Sequence, residues 1–203
     1  MCIRDRVNAI NDSMLENMEG DVYSFQAEVK RGGKPAKNPR KGRDGCIFNT
    51  PLQMSLQLKI GAQIMLTYNV DVIDSLTNGA IGHVVGFETT QQGSIKSVLV
   101  KFKDEKAGRE KRKKNPAQLT MRYRGIPVTP ISRIEFRFNM SKSPTSQNDF
   151  MVATQFPLKL SFACTAHKMQ GSTVAKPDSL AIDINSAREA SIVYVMALSL
   201  IHI

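Results

Sequence analysis

The chain contains no tryptophan, three cysteines and three histidines among 203 residues, and aromatic side chains make up only 6% of it. So few cysteines cannot build a disulfide framework, and with histidines equally scarce they cannot build a zinc cluster. A reducing, intracellular compartment is the expected setting, and no metal site is expected. No apolar run approaches the roughly 20 residues that a membrane-spanning helix needs. No G-x-x-x-x-G-K-[ST] stretch occurs. Gly42-Arg43-Asp44-Gly45 has neither the spacing nor the Lys-Ser/Thr ending, so the backbone cradle and lysine that hold nucleotide phosphates are missing. Acidic residues are also in short supply: 18 Asp and Glu stand against 28 Lys and Arg, a net charge of +10. That excess favours a polyanionic partner, nucleic acid first and an acidic membrane surface second.

The two ends have an unusual property. Residues 1–6 and 198–203 can be written as DNA sequences that, apart from the final base of each, are reverse complements, and that DNA resembles a sequencing-library adapter. Both ends are set aside here as adapter-derived, as a tag would be. Removing Arg4, Arg6 and Asp5 with them lowers the net charge from +10 to +9, so basicity survives. Cys46, Cys164, His83 and His167 then remain.

Along the rest of the chain, Val7, Ile10, Met14, Leu15 and Met18 recur at helical spacing, and Gly20 can end the helix. The spacing predicts an amphipathic helix over about 7–18, with Asn8, Asn11 and Asp12 on its solvated face. Residues 21–29 have room for a short strand. Lys30 to Gly45 is rich in Gly, Pro, Lys and Arg and reads as a mobile basic loop. From Leu56 the chain becomes β-rich. Strand candidates at 62–68, 80–88 and 98–102 are separated by Thr77-Asn78-Gly79 and Gln91-Gln92-Gly93, with Gly82 and Gly86 marking bends or bulges. Lys103 to Lys114 is a charged interruption. A nucleic-acid or nuclear-localisation patch is one reading of it; a solvated hairpin tip is the commoner arrangement, because Asp104, Glu105 and Glu110 dilute the patch. Alternation resumes at Ile134, Phe136 and Phe138, and 139–150 reads as a polar loop. Short strands with turns at this spacing suggest a small antiparallel barrel set inside an α/β frame.

Leu158, Leu160, Phe162 and Cys164 alternate with smaller or charged residues, the period of a strand. Thr165-Ala166-His167-Lys168-Met169-Gln170-Gly171-Ser172-Thr173 follows, and Thr165 is suited to cap a helix there. His167 and Lys168 would then lie in the first helical turn, where cations oppose the positive end of the helix dipole. Backbone N–H groups at a helix start are ready phosphate donors, so this stretch is either an anion grip or an ordinary strand-to-helix junction with solvent-facing cations. Further on, 179–184 reads as a short apolar strand, and Asn185 or Ser186 can cap a helix running to Tyr194.

Leu58-Lys59-Ile60-Gly61-Ala62, Leu76-Thr77-Asn78-Gly79 and Val84-Val85-Gly86-Phe87 together resemble the 2B region of the Pif-one-like DNA helicases. Thr165 to Thr173 resembles their helicase motif V, and Tyr194-Val195-Met196-Ala197 the start of motif VI, whose arginine finger has no counterpart here. The likeness covers nearly all of 7–197. It implies an α/β fold: a RecA-like C-terminal helicase lobe, 2A, of the P-loop NTPase type but without the Walker lobe, interrupted by a small SH3-like β-barrel, 2B. On that plan 7–55 opens lobe 2A and carries the basic loop. The barrel occupies 56–150 with a charged loop at 103–125, and 151–197 completes the lobe.

The resemblance also implies function. The parent would be an ATP-dependent, 5′-to-3′ DNA helicase of superfamily one, related to RecD, with roles in repair, recombination and telomere maintenance. Thr165, His167 and Lys168 would contact the phosphates of single-stranded or fork DNA. Gln170 and Gly171 would couple nucleotide state to that grip. ATP and Mg2+ would be held mainly by an N-terminal motor lobe, the chain's expected partner, and this chain alone would hydrolyse no ATP and contain no catalytic residue. His83 has no partner in the motif and reads as structural. No membrane association is expected; in a eukaryote the location would be nuclear, with mitochondria the alternative. An autonomous nucleic-acid-binding barrel without a motor, and an inert fragment exposing its missing interface, are the competing readings.

Overall fold

The structure, a computed structural model, describes residues 3–36, 39–42, 45–114, 123, 125–139 and 150–165. The chain opens with helix α1, Ile3–Glu16. It begins four residues before the expected start, inside the segment set aside above, and ends two residues sooner. Its buried line is Val7, Asn11 and Leu15, spaced one helical turn apart, with Asn11 and Leu15 fully buried. Ile10 and Met14, expected in the core, face solvent at 47% and 45% exposure. The apolar spacing marked out a stripe wider than the surface this helix meets. The C-terminus is closed from outside: the Lys59 ammonium donates to the carbonyl of Met18 at 2.6 Å and reaches that of Glu16 at 3.5 Å. A cation on the last carbonyls of a helix satisfies groups that have no partner within it and complements the dipole.

Eleven strands follow among the described residues, and every ladder between them is antiparallel. β1 (Tyr23–Gln26) pairs with β4 (Ser55–Leu58). A five-stranded sheet runs in the order β11 (Leu158–Leu160), β5 (Gln63–Leu66), β6 (Ile81–Thr89), β7 (Ile95–Phe102), β8 (Thr129–Ser132). Phe25, Leu56, Leu58, Ile64, Leu66, Leu76, Val84, Val98, Val100, Ile131, Phe156 and Leu158 form one core between these two sheets, and Leu15 of α1 joins it. The predicted turns at Asn78-Gly79 and Gln92-Gly93 are present, and β6 shifts register between Val84 and Gly86, the expected bulge. At Gly82 a Cβ would lie 2.7 Å from the Lys101 carbonyl oxygen, so only glycine lets β6 and β7 approach this closely.

The second sheet departs from expectation. β9 (Ile134–Asn139), whose alternation reads as continuing the barrel, pairs instead with β10 (Phe150–Gln155), giving the order β3 (Lys34–Pro35), β2 (Glu28–Arg31), β10, β9. Its own small core holds Val29, Ile47, Leu52, Phe138, Met151 and Ala153. Alternation reports which side chains face inward, and says nothing of which strand lies alongside. Conversely β11, expected in the lobe, completes the edge of the barrel sheet on β5. The start of the basic loop is likewise ordered: Lys30, Arg31, Lys34 and Pro35 form the β2–β3 hairpin around Gly32-Gly33. Gln155, wholly buried, ties the sheets together. Its amide donates to the Phe25 carbonyl at 3.0 Å and accepts from the Phe156 N–H at 3.0 Å.

Candidate nucleic-acid interface

The stretch that leads into Thr165 is held on both sides. After β11 leaves its ladder with β5, the Ser161 N–H donates to the Gln63 carbonyl at 2.9 Å, and the Gln63 side-chain amide donates to the Ser161 carbonyl at 2.8 Å. Two residues on, Asn11 repeats the arrangement from the helix side. Its amide donates to the Ala163 carbonyl at 3.0 Å and its oxygen accepts from the Ala163 N–H at 2.8 Å. Leu160 and Phe162, on either side of Ser161, pack against the barrel core. Four backbone polar groups on alternate residues are thus satisfied by two glutamine or asparagine residues from different elements. Each such bond stabilises by about 0.5–1.5 kcal/mol net, and a buried group stripped of its partner costs about 1–3 kcal/mol.

This clasp sets the position of Thr165, which is half-buried and is the last described residue. His167, Lys168, Gln170 and Gly171 lie outside the described residues, as do the strand and helix expected after them. Asn11 was placed on the solvated face by sequence reasoning. It is 5% exposed and holds the backbone of Ala163, two residues before Thr165. One signal could have found it: it is the single polar residue in the line Val7–Asn11–Leu15. Asn8 is half-buried and Asp12 exposed.

Among the described residues, two clusters of basic side chains bear on strand contact. On the second sheet, Lys30, Val152 and Arg137 lie side by side in register, and the next row on that face is Glu28, Thr154 and Glu135. A cationic row beside an acidic one is a poor phosphate track, and Lys30 and Glu28 approach within 4.0 Å in solvent. Arg40 stacks over the Phe48 ring at 4.6 Å, and Arg133 over Phe156 at 5.0 Å while donating to the Gln26 carbonyl.

The second group is helix α2, Arg109–Lys114, where a solvated hairpin tip was expected. Arg112 turns inward to the Ala107 carbonyl at 2.6 Å and the Thr129 hydroxyl at 3.0 Å. Burial lowers the Lys111 pKa below the ordinary lysine value, opposed by nearby Asp71 and Asp74. His83 stands in register with Gln63 and Lys101 on the barrel sheet. Neither Cys46 nor Cys164 is in a disulfide. Among the described residues no three His, Cys, Asp or Glu are grouped to hold a metal, and no helix is long and apolar enough to cross a membrane.

With this geometry in place, comparison with known proteins is specific. Residues 47–87, from the turn after the basic segment through most of β6, match the family model for the 2B domain of DNA helicase Pif1. The ATP-dependent DNA helicase Pif1 of Campylobacter jejuni is 30% identical over 95% of this chain and 37% of its own length. The uncharacterized protein 030L of Invertebrate iridescent virus 6 is 27% identical over 95% of this chain and 43% of its own length. The chain thus spans less than half the length of these curated relatives. Among solved structures, the Pif1 helicase of Candida albicans superposes with a TM-score of 0.64 at 22% identity, covering 98% of this chain and 41% of that one. Bacteroides Pif1 in complex with ADP-AlF3 and single-stranded DNA gives a TM-score of 0.56 at 20% identity, covering 97% and 36%. The fold is therefore that of a C-terminal helicase lobe carrying the 2B barrel, whose β-rich part the described residues hold.

Proposed function

This chain belongs to the Pif1-like DNA helicases as a C-terminal, 2B-bearing part, and from that premise we propose that it supplies the single-strand grip of an ATP-dependent, 5′-to-3′ DNA helicase. The observation that carries the reading is the double clasp on Ser161 and Ala163, which fixes the strand end from which Thr165, His167 and Lys168 emerge. In the proposal Thr165 offers a hydroxyl, His167 a ring N–H and Lys168 an ammonium to consecutive phosphates of the tracked strand. Gln170 and Gly171 lie toward a second motor lobe and pass the state of its nucleotide to that grip. The sequence has no phosphate-cradling G-x-x-x-x-G-K-[ST] loop, so ATP and Mg2+ are proposed to be held mainly by that other lobe. No step through the nucleotide is assigned to this chain, which is proposed to hydrolyse ATP only in company with that other lobe. Fork DNA as substrate, roles in repair, recombination and telomere maintenance, and a nuclear or mitochondrial location belong to the same proposal.

The alternative of an autonomous barrel over 56–138 has less support. The barrel sheet takes its edge strand β11 from beyond that range, and its core takes Leu15, Phe25, Phe156 and Leu158. A test is the salt dependence of binding to a single-stranded oligonucleotide. The logarithm of affinity should fall with the logarithm of salt at a slope of about −0.7 per phosphate contacted. The pair His167→Gln and Lys168→Gln should shrink the slope by roughly one to two contacts. An unchanged slope overturns the assignment.

A further inference from the structure

The segment between β5 and β6 carries an arrangement that the grip at Thr165 does not use. Its apex, Val72 and Ile73, is apolar and 65% and 96% exposed. The loop beneath is locked. Leu76, wholly buried, pairs with Asp71, and the Val70 N–H also donates to the Leu76 carbonyl at 2.9 Å. The Asp71 carboxylate accepts from the Ile73 and Asp74 N–H groups at 3.1 and 3.2 Å. Ser75 adopts a positive φ of 56°, a conformation that tight turns impose. An isoleucine displayed at the top of so constrained a turn does not arise from floppiness of the chain.

The turn is also welded to α2. Asp74 is 4% exposed, and its carboxylate accepts from the Glu110 N–H at 2.7 Å and the Lys111 N–H at 3.0 Å. Its carbonyl accepts from the Gly108 N–H at 2.8 Å. Gly108 has φ +78° and sits so close to Thr129 that a Cβ would lie 2.4 Å from that side chain, so this junction is built for close approach. Beyond it α2 reads Arg-Glu-Lys-Arg-Lys-Lys. Arg109, Lys113 and Lys114 are exposed, and Lys113 also pairs with Glu110 at 2.6 Å. A rigid apolar point therefore stands beside a short cationic helix.

We propose that the Val72–Ile73 apex and α2 form a second nucleic-acid contact, in which the apex packs on the exposed base face at a single-strand–duplex junction while Arg109, Lys113 and Lys114 hold the flanking phosphates. Apolar side chains set against base steps, with cations on the neighbouring phosphates, are a recurrent means of engaging unstacked bases. A protein partner fits less well, because a stable interface buries about 800 Å² on each side and the apex offers only two exposed apolar side chains. The inference rests on the proposed DNA-binding function, and adds to it a site separate in sequence from Thr165–Lys168.

The test uses the whole chain and fluorescence anisotropy on two probes, an oligothymidine and a duplex bearing the same single-stranded tail, with 2-aminopurine at the junction base of a third. The double variant Val72→Ser, Ile73→Ser is expected to weaken junction binding about threefold to tenfold, to leave oligothymidine binding within about twofold and to abolish the 2-aminopurine signal. Both side chains are solvent-facing, so the melting curve should match that of the unmodified chain. Unaltered junction affinity, with the unmodified chain binding both DNAs, overturns the apex proposal alone. Failure of the unmodified chain to bind either DNA overturns the underlying function as well. Loss of binding to phosphatidylserine vesicles with junction binding intact would reassign the apex to a membrane surface and refute the proposal.

Discussion

Replacing Asn11 with alanine removes one side chain and leaves two backbone groups of Ala163 without their partner. The substitution deletes both bonds to Ala163, at 3.0 and 2.8 Å, and leaves an N–H and a carbonyl in a part-buried site. Two net hydrogen bonds are worth about 1–3 kcal/mol, and incomplete rehydration of the stranded groups moves the expected loss toward the upper end, about 2–4 kcal/mol. The better helix propensity of alanine returns only a few tenths. Urea unfolding of the two proteins gives the difference directly, provided the slope of the transition is unchanged. Asp12→Ala, on the exposed face of the same helix, should stay within about 0.5 kcal/mol and serves as the control. Because the clasp also orients Thr165, Asn11→Ala should weaken single-strand binding under conditions where the variant remains folded. A stability loss under about 0.5 kcal/mol, equal to the control, would refute the clasp.

Two other perturbations follow from the same geometry. Lys59→Met keeps the aliphatic stem but strips the ammonium from the carbonyls of Met18 and Glu16; a loss of about 1–2 kcal/mol in denaturant unfolding is expected, and no loss would mean the helix end needs no external cap. The Glu88 carboxyl is held below its usual pKa chiefly by the Ser97 hydroxyl; burial opposes this, and Lys96 adds to the lowering. A lowered folded-state pKa stabilises above the ordinary carboxylate range, and that contribution fades as pH falls through the range and below it. Glu88→Gln should therefore cost up to about 1 kcal/mol at neutral pH, discounted for solvent screening, with the difference vanishing in acid; a difference that persists or grows at low pH would contradict this.

The barrel strands were legible because apolar residues recur at every second position, Ile64 and Leu66 on β5 and Val98, Val100 and Phe102 on β7, although Met65 and Leu99 between them are buried as well. Lys59 and Gly82 were visible as positions in a pattern, but their reasons were not. One is a helix end 41 residues away in the chain, and the other a carbonyl on the neighbouring strand. The β2–β3 hairpin was hidden by its composition, since most of its side chains are exposed and only Val29 contributes to a core. β9 was recognised as a strand and given the wrong neighbour, because pairing is decided by long-range closure with β10. The role of Asp74 was invisible for a related reason: a buried carboxylate in a turn acquires meaning only when α2 arrives beneath it. Of the candidate site, Thr165 and its lead-in can be followed in the structure, and His167 to Gly171 rest on the motif.

The central claim, that the clasped strand end delivers the DNA-gripping stretch, is tested most directly by photo-crosslinking. The whole chain is irradiated on a single-stranded oligonucleotide carrying 5-iododeoxyuridine, and the crosslinked peptides are mapped by mass spectrometry. The account predicts crosslinks within the peptide that spans Thr165, His167 and Lys168, reduced in Asn11→Ala. Crosslinks confined to the Lys30–Lys34 hairpin or to the second sheet, with none in that peptide, would contradict it.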